Sequence, residues 1–226
     1  MGGILTDINC SVGDGLMAVG EVACHSVHGA NRLGCNSLLD LVVFGKIAGQ
    51  RIGEKITNKS PKAIDSVSEN ALKKNVDEKI SNFANLFSSH NYNSNKNLSL
   101  SNLKLQMQKN NDKTLGVFRN QELIQQGLEL NIQLLKQMQD YKIANKSLIW
   151  NDELIQFLEL ENMLLNSLAV GFCAINRKES RGSHYRFDYL KLDNQNYLAH
   201  SICKMLDKSK LEMQFSLKPI RKTSPK

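Results

Sequence analysis

Glu21 and Arg32 stand on either side of a loop of small residues, just ahead of a helix start, and together they could handle an anionic ligand. Glu21 closes a short apolar run of strand type, Leu16-Met17-Ala18-Val19, through Gly20. Beyond the loop, Asn36 or Ser37 can cap a helix whose apolar positions Leu38, Leu41, Val42, Ile47 and Ile52 recur at helical spacing. A carboxylate at the C-terminal edge of a strand, facing a helix N-terminus, makes a crevice of the kind that binds ligands. Unpaired N–H groups and the partial positive charge of the helix end favour an electron-rich group against Ser37 and Leu38. Between the two elements, Gly29-Ala30-Asn31-Arg32-Leu33-Gly34 lets backbone approach a ligand, and Arg32 offers a planar fork to a carboxylate. A plainer reading is open at this point: Glu21 and Arg32 form a structural ion pair and the glycines serve turns.

A second polar cluster lies at Arg177-Lys178-Glu179-Ser180-Arg181-Gly182-Ser183-His184-Tyr185-Arg186. Taken alone it could bind phosphate or form a polar interface. Buried arginine networks more often tie structural elements together, so the cluster is given no catalytic role.

The elements that must position these residues are mostly helical. A weak helical pattern runs from about Asn58 to Phe87 through Val67, Leu72, Val76, Ile80 and Phe83, and it ends in the polar stretch Ser88–Asn97, a linker or loop. Stronger patterns cover Leu103–Lys109, Gln121–Tyr141 and Asn151–Asn176, which predict a three-helix antiparallel bundle. The fold class is therefore α+β and predominantly helical, with a strand-loop-helix remnant of an α/β domain followed by a helical bundle. The domains expected are 1–57, a helix and polar linker over 58–97, and a helical domain over 98–226 with a basic tail.

The bulk properties exclude more than they assign. The net charge of +7 is scattered among acidic residues, apart from the tail Lys218, Arg221, Lys222 and Lys226, so no nucleic-acid partner is expected. Cys10, Cys24, Cys35, Cys173 and Cys203 form no C-x-x-C pair, so neither a metal centre nor a disulfide framework is signalled, and a reducing compartment fits. Asp40 interrupts Leu38–Phe44, and Asn166 and Ser167 interrupt Leu164–Ile175, so no run is expected to span a bilayer. The first residues do not read as a signal peptide.

Three longer stretches carry a resemblance. They are Gly15–Cys24 with His28–Gly45, then Ser147–Asn151 with Leu158–Leu165, and then Arg177–Tyr189. Together they resemble the succinate dehydrogenase and fumarate reductase flavoprotein family, and specifically its C-terminal part. The resemblance implies FAD as cofactor, with Glu21, Ser37 and Leu38 as FAD contacts and Arg32 as the grip on a substrate carboxylate. No catalytic residue and no metal ligand is assigned. His28 either shapes the substrate pocket or is a packed, hydrogen-bonded histidine. At Phe187 the family commonly has an acidic residue.

The resemblance further implies oxidation of succinate to fumarate, with electrons passing to an iron–sulfur subunit and quinone. Membrane anchor subunits would hold the protein peripherally, on the cytoplasmic face in bacteria or the matrix side in mitochondria. Leu33-Gly34, Leu39-Asp40-Leu41 and Ser147–Asn151 favour succinate dehydrogenase over fumarate reductase or L-aspartate oxidase. The family's Gly-rich dinucleotide fingerprint, FAD-linking histidine and proton-shuttling arginine have no match here, and Met1 reads as an internal methionine. The first fifty or so residues are accordingly expected to expose apolar surface. The alternative is a non-catalytic fragment acting at most as an interaction module.

Overall fold

The computed structural model describes residues 1–13, 15–58, 66–87 and 99–220. The expected linker at Ser88–Asn97, Asp14 and the tail from Arg221 lie outside the described residues. The chain divides into two compact units, Met1–Lys74 and Asn75–Lys226.

The first unit is built from very short strands. β1 (Ile4–Leu5) leads to β2 (Ser11–Gly13), which pairs antiparallel with β3 (Leu16–Met17). Asp7 turns the chain between them, its carboxylate accepting the backbone N–H groups of Asn9 and Ser11 at 2.9 and 2.8 Å. β4 (Ala23–Cys24) then pairs parallel with β1. The expected strand through Val19 stops early, because Gly20 takes φ 80 and opens a 3₁₀ turn over Gly20–Val22. Glu21 therefore sits in that turn and not at a strand edge. A Cβ on Gly20 would collide with the side chain of Leu41.

Helix α1 runs from Asn36 to Asn58. The expected cap at Asn36 or Ser37 is corrected, since both residues are already helical and the helix is entered through Cys35 at φ 64. Among the described residues α1 buries only Asp40 and Ala48, while Leu38, Val42 and Ile56 are about seven-tenths exposed (68%, 72% and 73%). The small core of this unit is Cys10, Ala18, Ala23 and Ala48, with Thr6 and His25 buried beside them. His25 stacks on Phe44 at 3.8 Å and meets the Thr6 hydroxyl at 2.7 Å. Helix α2 (Ser66–Leu86) realises the weak helical pattern.

The second unit holds a large core. Helices α3 (Leu100–Thr114), α4 (Gln121–Gln139) and α5 (Asp152–Asn176) form the expected bundle around Leu103, Leu134, Met138, Leu160, Leu164 and Leu168, each at most 2% exposed. Burying each such side chain contributes about 1.5–3 kcal/mol. Asn120 and Asn151 cap α4 and α5 through the N–H groups of Leu123 and Leu154. A chain of amides crosses the bundle. Asn110 donates to the Gly127 carbonyl and to fully buried Asn131, which donates to Asn111, which donates to Ser167.

Helix α5 corrects one expectation. It is the one helix among the described residues long and apolar enough to cross a membrane. Its apolar stripe of Phe157, Leu160, Leu164 and Leu168 is nevertheless core of the bundle.

The second unit also contains strands that helical periodicity did not predict. β5 (Phe118–Arg119) pairs parallel with β6 (Tyr185–Arg186), and after the single turn of α6 (Asn194–Tyr197) a hairpin forms from β7 (Ala199–Asp207) and β8 (Glu212–Pro219). Cross-strand pairs Cys203–Phe215 and Met205–Met213 share one face, and Lys204–Gln214 and His200–Lys218 share the other. Apolar Ile202 and Leu206 fall among the second set, which blurs the alternation a strand would otherwise show.

Candidate functional site

The first unit brings Glu21, Arg32 and Ser37 together. The Arg32 guanidinium lies 3.8 Å from the Glu21 carboxylate and donates to the Ser37 hydroxyl, and its side chain is 42% exposed. The Glu21 side chain is 84% exposed, so this ion pair is a loose surface contact worth little stability. Both readings of the pair meet in this geometry: the contact exists, and it is open enough for a ligand carboxylate to replace it. Leu38 follows Ser37 in the first turn of α1 and turns its side chain to solvent.

The loop that carries Arg32 is also held further back. His28 Nε2 contacts buried Asp40 at 3.3 Å, and Gly29 turns the chain at φ 59. His28 is thus a hydrogen-bonded histidine, as one of its two readings has it. Sequence reasoning missed Asp40 as its partner, although Ser37 and Asp40 are spaced i, i+3 and share a helix face.

Leu33 and Leu38 are exposed, Glu21 offers a carboxylate acceptor, and α1 begins at Asn36 with its positive end. A planar, electron-rich ring is the kind of group that exposed apolar side chains and a helix N-terminus favour.

The arginine cluster of the second unit is built as structure. Glu179 is fully buried and receives Arg181 Nε at 2.7 Å, Arg177 Nη2 at 2.8 Å and the backbone N–H of Asp193 at 2.8 Å. Burial pushes its carboxyl up, but those donors outweigh it and the net displacement is downward. Fully buried Arg186 donates to both oxygens of Asp188 and to the Ala174 carbonyl. With Arg186 as the main cause, the Asp188 carboxyl is lowered to about 2. Phe187 thus removes no necessary charge, because its neighbour Asp188 supplies it. His184 accepts from Arg119 at Nδ1, so its Nε2–H donates to the Arg177 carbonyl. Burial, with three arginines nearby, lowers it to about 4 despite that carbonyl.

Comparison with known proteins assigns the family. Residues 104–225 match the family described as "Fumarate reductase flavoprotein C-term". The chain belongs to the succinate dehydrogenase/fumarate reductase flavoprotein family. Residues 1–38 match the FAD binding domain family, and FAD is the cofactor. The chain is 41% identical over 214 residues to the succinate dehydrogenase flavoprotein subunit of Rickettsia bellii, covering 95% of this chain and 34% of that protein. It is also 41% identical over 192 residues to the mitochondrial succinate dehydrogenase [ubiquinone] flavoprotein subunit of Oryza sativa, covering 85% of this chain and 29% of that one. Among solved structures, a mutant FrdA of E. coli quinol fumarate reductase superposes with a TM-score of 0.85 at 28% identity, over 99% of this chain and 37% of that one. The chain thus spans about a third of the length of the curated relatives it matches and corresponds to their C-terminal part.

Proposed function

We propose that this chain supplies the carboxylate grip and part of the FAD cradle of a succinate dehydrogenase flavoprotein subunit. The observation that supports this reading is the half-exposed Arg32, poised between Glu21 and Ser37 at the N-terminus of α1. Arg32 would exchange its two weak surface partners for a succinate carboxylate in a bidentate contact. That contact fixes the substrate so that one C–H bond faces the cofactor, an orienting role. Glu21 would accept from cofactor hydroxyls, and the Ser37-Leu38 turn would place the helix dipole against the electron-rich edge of the ring. FAD, when bound, supplies the two-electron acceptor.

The partners proposed are an iron–sulfur subunit and, through it, membrane anchor subunits and quinone, with peripheral attachment to the cytoplasmic or matrix face. Support comes from the relatives' names, which call them flavoprotein subunits, and from a likeness to Mycobacterium smegmatis Sdh1 in complex with UQ1, at a TM-score of 0.80 and 26% identity over 97% of this chain and 35% of that one. The exposed Leu38 and Val42 and the two-stranded parallel pair β1–β4 offer a surface for further sheet and helix, because parallel strands are ordinarily covered on both faces.

Purified chain with added FAD should therefore not reduce an artificial electron acceptor with succinate. Co-expression with the remaining two-thirds of the Rickettsia relative should restore succinate-dependent reduction, and Arg32→Gln in that assembly should abolish it. Full activity with Arg32→Gln would refute the assignment. Turnover by the chain alone would refute the need for a second polypeptide segment.

A further inference from the structure

The loop that carries Arg32 is stitched to α1 at two places of different character. The outer stitch is Arg32 to the Ser37 hydroxyl, reinforced by Glu21 and open to solvent. The inner stitch is His28 Nε2 to Asp40 at 3.3 Å, with side chains only 19% and 7% exposed. Ser37 and Asp40 are three residues apart on one helix, so both stitches fall on one face of α1, in its first and second turns. The loop therefore runs back along the helix, and Arg32 leaves it one helical turn beyond its anchor. Neither His28 Nδ1 nor Asp40 Oδ1 has another hydrogen-bond partner among the described residues, so the inner stitch rests on one contact.

The functional demand on the two stitches is opposite. A guanidinium that grips a substrate must release its resting partners, and an exposed arginine–hydroxyl contact exchanges readily. The backbone beneath it must stay fixed while this happens, because a displaced guanidinium loses the bidentate geometry. A buried contact of imidazole with carboxylate is the stronger kind of polar anchor, since removing one partner strands the other away from water.

We propose that His28 and Asp40 are positioning residues that hold the Arg32 loop in register, so that Arg32 can leave Ser37 without the loop leaving α1. This rests on Arg32 being the carboxylate grip. Neither residue touches substrate; both act through the loop.

Trypsin reads the loop in the full chain, because a protease binds its substrate extended and so cuts after Arg32 faster as the loop comes away from α1, while Lys46 and Arg51 within α1 report loss of the helix itself. The rates are followed by peptide mass spectrometry. His28→Ala should speed the cut after Arg32 about tenfold, the ratio expected from losing one contact of about 1.4 kcal/mol, while the Lys46 and Arg51 cuts stay within twofold of the parent. His28→Gln, whose amide keeps a donor near Nε2, should bring the rate back to within about threefold of the parent. Ser37→Ala should change it less than His28→Ala. The proposal is overturned if His28→Ala leaves the Arg32 cut unchanged, if all three sites accelerate together, or if His28→Gln behaves as His28→Ala.

The grip itself is tested separately with malonate as the probe dicarboxylate, on the restored assembly with parent Arg32. Absence of protection at Arg32 there would count against the proposed function while leaving the proteolysis result on the inner stitch intact.

Discussion

The two units treat buried polar groups in opposite ways. In Asn75–Lys226 the fully buried Glu179 and Arg186 each take several partners, and Asn131 sits in an unbroken chain of amides. In Met1–Lys74, His25 Nε2, His28 Nδ1 and Asp40 Oδ1 are buried with no hydrogen-bond partner among the described residues, and the core is made of alanines and one cysteine. A region that satisfies its buried polar atoms and hides its leucines can hold its own shape. A region that leaves both unfinished keeps its side chains available for other groups, as the FAD and carboxylate roles proposed for it require. Structural completeness and chemical availability are thus divided between the units.

The largest expected effect tests the complete half. Glu179→Ala would leave Arg177 and Arg181 without their shared buried counter-charge, at a cost of about 3–5 kcal/mol. The loss should appear in denaturant unfolding followed by amide signals of α5. A loss below about 1 kcal/mol would show that the cluster is a surface feature after all. Next in size, Leu164→Ala empties a fully buried position and should cost about 2–5 kcal/mol. The same truncation at Leu38 in the other unit should cost within about 0.5 kcal/mol, because that side chain is 68% exposed. Equal costs at the two leucines would erase the contrast between the units.

Acid sharpens the comparison at intermediate size. His184 titrates near 4 in the folded protein against an ordinary value of 6.5, so between these values the unfolded chain takes up a proton that the folded site refuses. Its contribution is present above pH 6.5 and is lost as pH falls toward 4. His200 is displaced the same way by burial and Lys218, and adds to the slope. Asp188 extends the loss below 3.8 and down to about 2. Thermal melts of the second unit should fall progressively from pH 6.5 to pH 4. His184→Gln should flatten that limb, and an unchanged limb would show that the histidine is not buried neutral.

The bundle was legible in the sequence because Leu128, Leu134, Leu135 and Met138, and then Leu154, Leu158, Leu165 and Leu168, keep helical spacing over long windows. The hairpin was not, since Ile202 and Leu206 interrupt its alternation. Arg32, Glu21 and Ser37 were found as a group from residue type and resemblance, and the structure places them together. Glu21 was nevertheless assigned to a strand edge. One glycine at positive φ turned that edge into a 3₁₀ turn, and no periodicity carries such a signal. Asp40 escaped for a related reason: within an apolar run it read as an interruption, whereas its burial against His28 depends on a loop fold that spacing does not encode.

The smallest effect concerns how the unforeseen hairpin is held. Besides the apolar packing of Leu211 and Met213, two polar attachments tie it to α5 and its C-cap: the exposed ion pair Lys208–Glu161 at 2.8 Å, and the inward face where Arg177 donates to the Ala199 carbonyl and the Ser201 hydroxyl at 3.0 Å each. The lysine is 55% exposed, so solvent screens the pair and the side chain gives up rotational freedom to form it. The inward contacts are half-buried and use a guanidinium already fixed by Glu179. Lys208→Ala should therefore lower stability by less than about 1 kcal/mol, with the loss vanishing in high salt. Ser201→Ala, which removes one neutral acceptor from a buried donor, should cost about 1–3 kcal/mol and be insensitive to salt. A reversal of that order would mean that the hairpin is tethered at its tip, and that the second unit owes part of its completeness to surface charge.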